Sequence, residues 1–438
     1  MKLERSRQIF ERARQVIAGG VSSNVRASDR PFPLCYARGK GSKLLDVDGN
    51  EYLDFVMGRG PLILGHSHPA LIKAVQETMV DAQLFAAQTE MECEVAETIK
   101  KHIPSMEMVR FANSGSEAVH AALRLARFAT HRPKIVKFEG HYHGWLDNIL
   151  FAAPEKARAD QSSSDPSRPG NGAAGTADLL IVPWNNLPAL EAAFNAHGPE
   201  IAAVIMEPVM CNSGCVLPQD GYLEGVRKLC SSKGALLIFD EVITGFRMGL
   251  TGAQGRYGVV PDLTVLGKAL AGGFILSSFG GKRELMNLIA ELKVVHAGTF
   301  NGNPISLSAA ITSLRILEER KDEFPLLNEM GDQLRLSLVK LANQFSLPCA
   351  SDGFGMIFCF YLTTAVVSDP MECVKHRDAE ATSLFQERML NQGIRIAPEG
   401  TWFLSFAHDQ KDVELALNAA KNVLAEIAAS RVNSLQRS

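Results

Sequence analysis

Short apolar runs alternate with helical stretches through the middle of the chain, from about residue 61 onward. The runs are rich in Val, Ile and Leu, and their length suits buried strands. Such strands with intervening helices form a mainly parallel sheet that helices cover on both faces. The pattern therefore predicts an α/β domain whose strands include residues 108–112, 134–138, 201–206, 235–239 and 263–267.

The two ends of the chain predict a smaller α+β region. Polar and apolar positions alternate at helical spacing over residues 3–18, and Gly19 and Gly20 end that helix. Asp48-Gly49-Asn50 lies between two strand-like runs and indicates a β-hairpin. In the last third of the chain, strand-like runs are mixed with amphipathic helices, predicted over residues 306–320, 327–345, 378–392 and 411–429.

The chain has 438 residues, more than the roughly 100 to 200 residues of an ordinary domain. We divide it into an N-terminal segment (residues 1–60), a large domain (61–305) and a C-terminal part (306–438), with the first and third forming the small domain. Residues 154–178 are rich in Ser, Gly, Pro and Ala and show no periodicity. A stretch of this length inside a compact enzyme is more often a mobile lid than a linker.

Composition and charge narrow the classes of function. The formal net charge is -3 and no basic stripe is present, which argues against a nucleic-acid partner. The eight cysteines contain no CxxC pair, which favours reduced thiols over a disulfide framework or a zinc site. The first helix lacks the apolar core of a signal peptide, and no stretch is apolar enough to cross a membrane. We therefore expect a cytoplasmic protein without a membrane partner.

Ser114, Gly115 and Ser116 follow a predicted strand and open a helix. A helix N-terminus offers unpaired N–H groups and a positive dipole end, so these residues could bind a phosphate. An ordinary capping box explains them as well, with Ser114 as the cap and Glu117 as its partner. Taken alone, the capping box is the better interpretation.

Asp240 and Lys268 each follow another predicted strand. Acidic residues after strands are common in loops and caps, and most lysines are exposed to solvent. A lysine in an apolar pocket bounded by glycines, however, has a lowered pKa and can form a Schiff base with an aldehyde. Together with the helix start at Ser114, however, the two residues indicate a specific chemistry.

One cofactor needs all three features. Pyridoxal phosphate requires a lysine for its aldehyde, a carboxylate for its pyridine nitrogen and a helix N-terminus for its phosphate. The carboxyl ends of parallel strands lie at one edge of a sheet, where ligands bind. The residues therefore predict a pyridoxal-phosphate enzyme in which Lys268 and Asp240 are catalytic.

Further motifs run along nearly the whole chain: GGVSSNVRA (19–27), DVDGNEYLDF (46–55), GPLILGHSHPA (60–70), NSGSEA (113–118), KFEGHYHGW (137–145), MEPV (206–209), FDEVITGFR (239–247), PDLTVLGKALAGG (261–273) and GTFNGNP (298–304). In this order they resemble the class III aminotransferases, most closely the glutamate-1-semialdehyde aminomutase branch. The resemblance implies the fold of pyridoxal-phosphate-dependent transferases, whose large domain holds a mainly parallel seven-stranded sheet. It also implies a homodimer with shared active sites.

The resemblance implies roles around the cofactor ring. Lys268 would hold the cofactor and move a proton between it and the substrate, and Asp240 would pair with the pyridine nitrogen. Val242 and the catalytic Tyr142 would lie against opposite faces of the ring. Glu207 and Asn212 would lie in the pocket wall.

The resemblance also implies contacts to the phosphate and to the substrate. Ser114, Gly115 and Ser116 would surround the phosphate, and Thr299 would reach the phosphate of the neighbouring subunit. Arg26 would face the substrate carboxylate, which a planar guanidinium can bind through two hydrogen bonds. The histidines of the motifs have no carboxylate at ligand spacing, so we expect no metal at His66, His68, His141 and His143.

Three departures from the aminomutase branch bear on the reaction. Arg59 stands where that branch carries an aromatic residue and is a second candidate for substrate binding. Residues 154–178 do not resemble the gating loop of the mutases. In residues 397–402, the acidic residues do not have the spacing that we expect of the mutase pocket. Trp402 could fill that space instead.

The departures favour an intermolecular aminotransferase as the leading hypothesis. It would move an amino group from an amino acid, β-amino acid or amino-aldehyde donor to a keto acid or aldehyde acceptor. The alternative is glutamate-1-semialdehyde 2,1-aminomutase, in which both half-reactions occur on one molecule. A racemase or epimerase and a catalytically silent binding protein are the remaining hypotheses.

Overall fold

The structure is a computed structural model that describes residues 1–150 and 178–435, with side chains up to Arg431. The chain forms two compact units. The terminal unit comprises Met1–His68, Ser213–Val216 and Glu323–Ser438, and the sheet unit comprises Pro69–Asn212 and Leu217–Asp322. The predicted lid lies outside the described residues, except for its last residue, Asp178.

The N-terminal part of the terminal unit begins with helix α1 and a three-stranded antiparallel meander. The elements are α1 (Glu4–Val16), β1 (Tyr36–Lys40), β2 (Lys43–Asp46) and β3 (Glu51–Asp54). Strands β2 and β3 form the predicted hairpin, which is confirmed. The Asp48 carboxylate in its turn accepts hydrogen bonds from the backbone N–H groups of Arg5 and Ser6, at 2.7 and 2.8 Å. The turn thereby accepts hydrogen bonds from N–H groups at the start of α1 that have no partner within the helix.

The sheet unit contains the predicted mainly parallel sheet, which among the described residues has seven strands in the order β4-β10-β9-β8-β7-β5-β6. Strand β10 runs antiparallel to both β4 and β9, and the other neighbours are parallel. The strands are β4 (Met108–Ala112), β5 (Lys134–Phe138), β6 (Leu179–Val182), β7 (Ile201–Met206), β8 (Leu236–Glu241), β9 (Leu263–Leu266) and β10 (Ser277–Gly281).

Apolar strands and helix faces build the core of the sheet unit. Every residue of the inner strand β7 is buried, as expected for a strand covered on both faces. The helices of this unit are α2 (Pro69–Asp81), α3 (Glu90–His102), α4 (Gly115–Thr130), α5 (Leu187–His197), α6 (Tyr222–Lys233), α7 (Gly252–Tyr257), α8 (Arg283–Ala290) and α9 (Pro304–Glu319). Helix α4 turns small apolar side chains, among them Ala118, Ala122 and Leu125, into this core.

The C-terminal part of the terminal unit is the predicted mixture of helices and short strands. Strand β13 adds in parallel to β3, and β11, β12 and β14 form an antiparallel sheet. The elements are α10 (Phe324–Gln344), β11 (Cys349–Phe354), β12 (Ile357–Leu362), α11 (Pro370–Lys375), α12 (Ala379–Asn391), β13 (Ile394–Arg395), β14 (Thr401–Phe403) and α13 (Gln410–Leu435). The C-terminal helix is longer than the predicted span of residues 411–429.

The compact units differ from the predicted domains at three places, one of which is Ser213–Val216, a stretch of the predicted large domain that belongs to the terminal unit. Helix α9, which we assigned to the C-terminal part, belongs to the sheet unit because it packs against α2 and α3. Residues 61–68, which we assigned to the large domain, belong to the terminal unit. Apolar periodicity predicts that a helix is buried but does not tell which core buries it. None of the described helices is both long and apolar enough to cross a membrane.

Candidate active site

The start of helix α4 is a complete capping box. The Ser114 hydroxyl accepts the N–H of Glu117 at 3.3 Å, and the Glu117 carboxylate accepts the N–H groups of Ser114 and Asn113 at 3.1 and 2.8 Å. The ordinary interpretation of this motif is therefore correct. It leaves the first helical N–H groups, those of Gly115 and Ser116, as the ones that an anion can use.

Two glycines bring the start of α4 close to its neighbours. A Cβ atom on Gly115 would lie 3.2 Å from Val242 Cγ2, so a larger residue would crowd the side chain predicted to lie against the ring. Gly144 has a φ of 98°, and a Cβ there would lie 2.5 Å from Ser116 Oγ. The loop after β5, the loop after β8 and the helix start therefore meet at one edge of the sheet.

Two consecutive carboxylates at the end of β8 have different environments. Asp240 is 6% exposed and accepts the N–H of Val242 at 3.1 Å. Glu241 is fully buried, and its side chain accepts hydrogen bonds from Thr244 and from Gln254 in α7. Because successive side chains of a strand point to opposite faces, only Asp240 is left for a ligand.

His143 holds the Asp240 carboxylate, with 2.8 Å between its Nδ1 and Asp240 Oδ2. Burial lowers the pKa of His143, and the neighbouring Asp240 partly offsets that effect. An ionised carboxylate only accepts hydrogen bonds, so Nδ1 carries the hydrogen of this pair. We did not predict this contact from the sequence, although the GHYHG motif placed His143 beside Tyr142.

Glu207 anchors the loop that carries Tyr142. Its carboxylate accepts the backbone N–H of Tyr142 at 2.8 Å and the side-chain amide of Asn212 at 2.9 Å. Burial and the Asp240 carboxylate together raise the pKa of Glu207 to about 8, although the hydrogen bonds from Tyr142 and Asn212 and the charge of Lys268 lower it. The structure thus brings Tyr142, Glu207, Asn212, Asp240 and Lys268 into one electrostatic neighbourhood.

Lys268 follows β9 at the predicted edge of the sheet, with Gly267 between them. It begins a short 3-10 turn, Lys268–Ala271, whose other residues are fully buried. The φ of Lys268 is 43°, a left-handed value that non-glycine residues rarely adopt. Strained backbone of this kind is concentrated at functional sites, where surrounding structure holds it in place.

Thr299 is exposed in the loop before α9. Two residues further on, the Asn301 side chain accepts a hydrogen bond from Asn113 at 3.0 Å, which ties this loop to the start of α4. Thr299 and Asn301 also line a surface cavity of about 680 Å³, together with residues such as Phe85 and Arg110. The reach of Thr299 to a neighbouring subunit stays a prediction.

The three predicted substrate contacts lie in the terminal unit. Arg26 is exposed in a short 3-10 turn, Asn24–Ser28. Arg59 is paired with Glu399 at 2.6 Å and reaches the carbonyl oxygen of Val25 at 3.4 Å, so its charge is already partnered. Substrate binding by these two arginines stays a prediction.

Trp402 lies in a different environment from the one we expected. Its side chain is fully buried and stacks on Phe358, with 5.8 Å between ring centroids, and packs against Phe55 at 4.9 Å. A side chain without exposed surface within the terminal unit is a core residue. All three residues of β14 are buried, as in a strand that is covered on both faces.

The residues at the edge of the sheet fit pyridoxal phosphate. A nearly buried carboxylate held by a histidine suits a protonated pyridine nitrogen, and two free N–H groups at a helix start suit a phosphate. The half-buried Lys268 supplies the amine. Bound there, the cofactor supplies an aldehyde and an electron-withdrawing ring.

A family model described as "Aminotransferase class-III" matches residues 24–408. The chain belongs to the class III aminotransferases. It is a pyridoxal-phosphate-dependent enzyme, as the residues and the resemblance predicted.

Full-length relatives of this aminotransferase-family enzyme include proteins named glutamate-1-semialdehyde 2,1-aminomutase. The one from Persephonella marina is 41% identical, covering 98% of this chain and 100% of the relative. The one from Acetivibrio thermocellus is 42% identical, covering 95% and 97%. Among solved structures, an omega-transaminase from Sphaerobacter thermophilus is 31% identical with a TM-score of 0.88, covering 96% of this chain and 97% of that one. The predicted fold is confirmed.

Proposed function

We propose that the enzyme is a glutamate-1-semialdehyde 2,1-aminomutase, the alternative to our leading hypothesis from the sequence. The observation that carries the proposal is the similarity, above 40% identity along nearly the entire chain, to proteins with this name. Two departures that favoured intermolecular transfer have lost weight, because Trp402 is a core residue and Arg59 is paired with Glu399. The third departure lies outside the described residues.

The residues of the chain have separate tasks in this proposal. Lys268 would move a proton between the cofactor and the substrate carbon that bears the amino group. Asp240, held by His143, keeps the pyridine nitrogen of the cofactor protonated. The N–H groups of Gly115 and Ser116 bind the phosphate, and Arg26 binds the substrate carboxylate.

The direct test offers glutamate-1-semialdehyde to the purified holoenzyme. We expect 5-amino-4-oxopentanoate, the isomer in which the amino group has moved to the adjacent carbon, and no added amino donor should be needed. The matched control is the same assay with Lys268→Ala. If the cofactor-loaded enzyme did not form the isomer, the proposal would be overturned.

A second candidate, intermolecular transamination, is supported by the omega-transaminase with a TM-score of 0.88. The same holoenzyme can be mixed with a panel of amino donors while the visible band and the released carbonyl product are followed. One equivalent of free keto product from any donor, without isomerisation of the semialdehyde, favours this candidate.

The role of Arg26 can be tested separately. Arg26→Lys keeps the charge but removes the planar pair of donors, so we expect KM for a carboxylate substrate to rise about tenfold. The KM of an amine without a carboxylate should stay unchanged. The control is Arg12→Lys on the exposed side of α1. Equal effects on both substrates would remove the proposed role.

We also propose a homodimer with shared active sites. Supporting this, Thr299 is exposed beside the large side chains of Phe85 and Phe300, which are 53% and 59% exposed. Lys268→Ala and Thr299→Asp should each inactivate the enzyme, the second by placing a carboxylate against the phosphate. Mixed dimers should regain activity, because one of their two sites then carries neither change. Absence of recovery in a proven mixed dimer would contradict shared sites.

A further inference from the structure

The pairing of His143 with Asp240 leaves one ring nitrogen to explain. Nδ1 donates to the carboxylate, so in the neutral ring Nε2 is a hydrogen-bond acceptor. His143 is 1% exposed, and its Nε2 has no hydrogen-bond partner among the residues that the structure describes. A buried acceptor in this position needs a donor.

His141 presents the complementary case. Its Nδ1 accepts the backbone N–H of Glu207 at 3.0 Å, so the neutral ring carries its hydrogen on Nε2. His141 is fully buried, and within the described parts of the chain this Nε2 has no partner either. The two rings lie 5.8 Å apart between centroids, with 55° between their planes. One ring offers a donor and the other an acceptor.

Both rings are neutral in this environment. Burial lowers the pKa of His141 well below its usual value, and His143 and Lys137 lower it further. Burial also lowers the pKa of His143. The Lys137 ammonium is fully buried and donates to the carbonyl oxygens of His141 and Ile149, at 3.0 Å each, which fixes the loop that carries both histidines.

Trp184 adds a second donor. Its ring centroid lies 4.6 Å from that of His141, and its side chain is 2% exposed. The indole Nε1 can only donate, and it too is unpaired as far as residues 1–150 and 178–435 show. Two buried donors and one buried acceptor therefore lie on neighbouring rings, and one of these rings, His143, contacts Asp240 directly.

We propose that His141, His143 and Trp184 bind one buried water, which makes His141 a positioning residue for Asp240. The water accepts from His141 Nε2 and Trp184 Nε1 and donates to His143 Nε2, and about three hydrogen bonds are usual for a buried water. This contact fixes the tautomer of His143 that donates to Asp240. The inference rests on the proposed role of Asp240 at the pyridine nitrogen.

The water itself is tested by a high-resolution crystal structure of the holoenzyme. We expect one ordered water within about 2.7 to 3.2 Å of all three nitrogens. Its presence does not depend on turnover or on the substrate. A structure in which the nitrogens pair with other protein groups, or in which no water contacts His143 Nε2, would overturn the proposal.

The positioning role is tested by His141→Asn. The amide oxygen can still accept the N–H of Glu207, while the Nε2 donor is lost. We expect the dissociation constant of pyridoxal phosphate, measured by absorbance titration, to rise about tenfold. His120→Asn on the exposed side of α4 is the matched control and should bind like the wild type.

A second variant covers the case in which His141→Asn does not fold. Trp184→Phe keeps an aromatic ring but removes the donor, so cofactor affinity should fall in the same direction by a smaller factor. Wild-type affinity in both variants would contradict the positioning role. Asp240→Asn tests the underlying assignment independently: if it leaves cofactor affinity unchanged, the role of Asp240 fails while the water is still decided by the crystal structure.

Discussion

Each unit contains a buried aspartate–histidine pair, but the two pairs have different surroundings. In the terminal unit, Asp54 accepts from His66 at 2.7 Å, from Arg395 at 3.1 Å and from the N–H groups of Val56 and Met57. In the sheet unit, the described partners of Asp240 are His143 and the N–H of Val242. Asp54 is thus compensated by a cation, whereas the partners described for Asp240 are a histidine ring and a backbone N–H.

The pKa values follow the same division. Burial alone would raise the pKa of Asp54, but Arg395 and His66 together bring it below its usual value. Near Asp240, by contrast, lies a second acidic side chain, that of Glu207. Burial raises the pKa of Glu207 to about 8. A balanced buried network stabilises a fold, and an unbalanced one marks a place where a charged ligand completes the set.

The largest effect is expected at Lys268, the lysine of the charged cluster around Asp240 and Glu207. Lys268→Ala should lower turnover by roughly 10⁴-fold, because the amine that holds the cofactor and moves the proton is lost. Its melting temperature should stay close to that of the wild type. Turnover and the visible band of the borohydride-treated protein measure this, with the exposed Lys228→Ala as control. If the variant retained turnover, the surroundings of Asp240 would not be the catalytic site, and the comparison with Asp54 would lose its functional meaning.

Asp240→Asn should lower turnover about a hundredfold, since a neutral amide no longer stabilises a protonated pyridine nitrogen. The free energy of unfolding of the apoenzyme should change little, because the amide oxygen can still accept the N–H of Val242 and the amide nitrogen can donate to Nδ1 of the other His143 tautomer. Steady-state kinetics and chemical denaturation of the same preparation measure the two effects. A large loss of stability with normal turnover would reverse the assignment.

Asp54→Asn should have the opposite effect, a loss of stability with little change in turnover. It leaves the half-buried Arg395 without its nearer carboxylate, while Asp29 stays 4.0 Å away, and this costs about 3 kcal/mol of unfolding free energy. The kcat of the folded fraction should remain near the wild-type value. Chemical denaturation followed by far-UV circular dichroism gives the measurement, and wild-type stability would show that Arg395 is compensated elsewhere.

The last prediction concerns pH. The folded pKa of Glu207 lies above its unfolded value of 4.5, so the folded apoenzyme binds the extra proton between pH 4.5 and about 8. This group therefore contributes stability at low pH that is lost as the pH rises through that window. The melting temperature of the wild type should fall relative to that of Glu207→Gln between pH 5 and pH 8. Parallel curves for the two proteins would contradict the raised pKa.

Local patterns predicted much of the fold. The β2–β3 hairpin and the buried strand β7 follow from turn residues and from continuous apolar runs, which depend on neighbours along the chain. The placement of Asp240 and Lys268 after parallel strands follows from the same patterns, because chain direction fixes the sheet edge at which both lie.

Contacts between distant residues could not be predicted in this way. His143 meets Asp240 across 97 positions, and Arg59 meets Glu399 across 340. Only the tertiary structure decides such pairs, as it decides that Trp402 packs between Phe55 and Phe358. The unit to which α9 belongs is decided by packing as well, since its apolar face would suit either core.

The left-handed backbone of Lys268 has an evolutionary consequence. Glycine would adopt a φ of 43° without strain, whereas any residue with a Cβ destabilises the fold there by about 1 kcal/mol. Selection for stability alone would thus favour Lys268→Gly, a substitution that deletes the reactive amine. Stability and reactivity therefore compete at a single Cα.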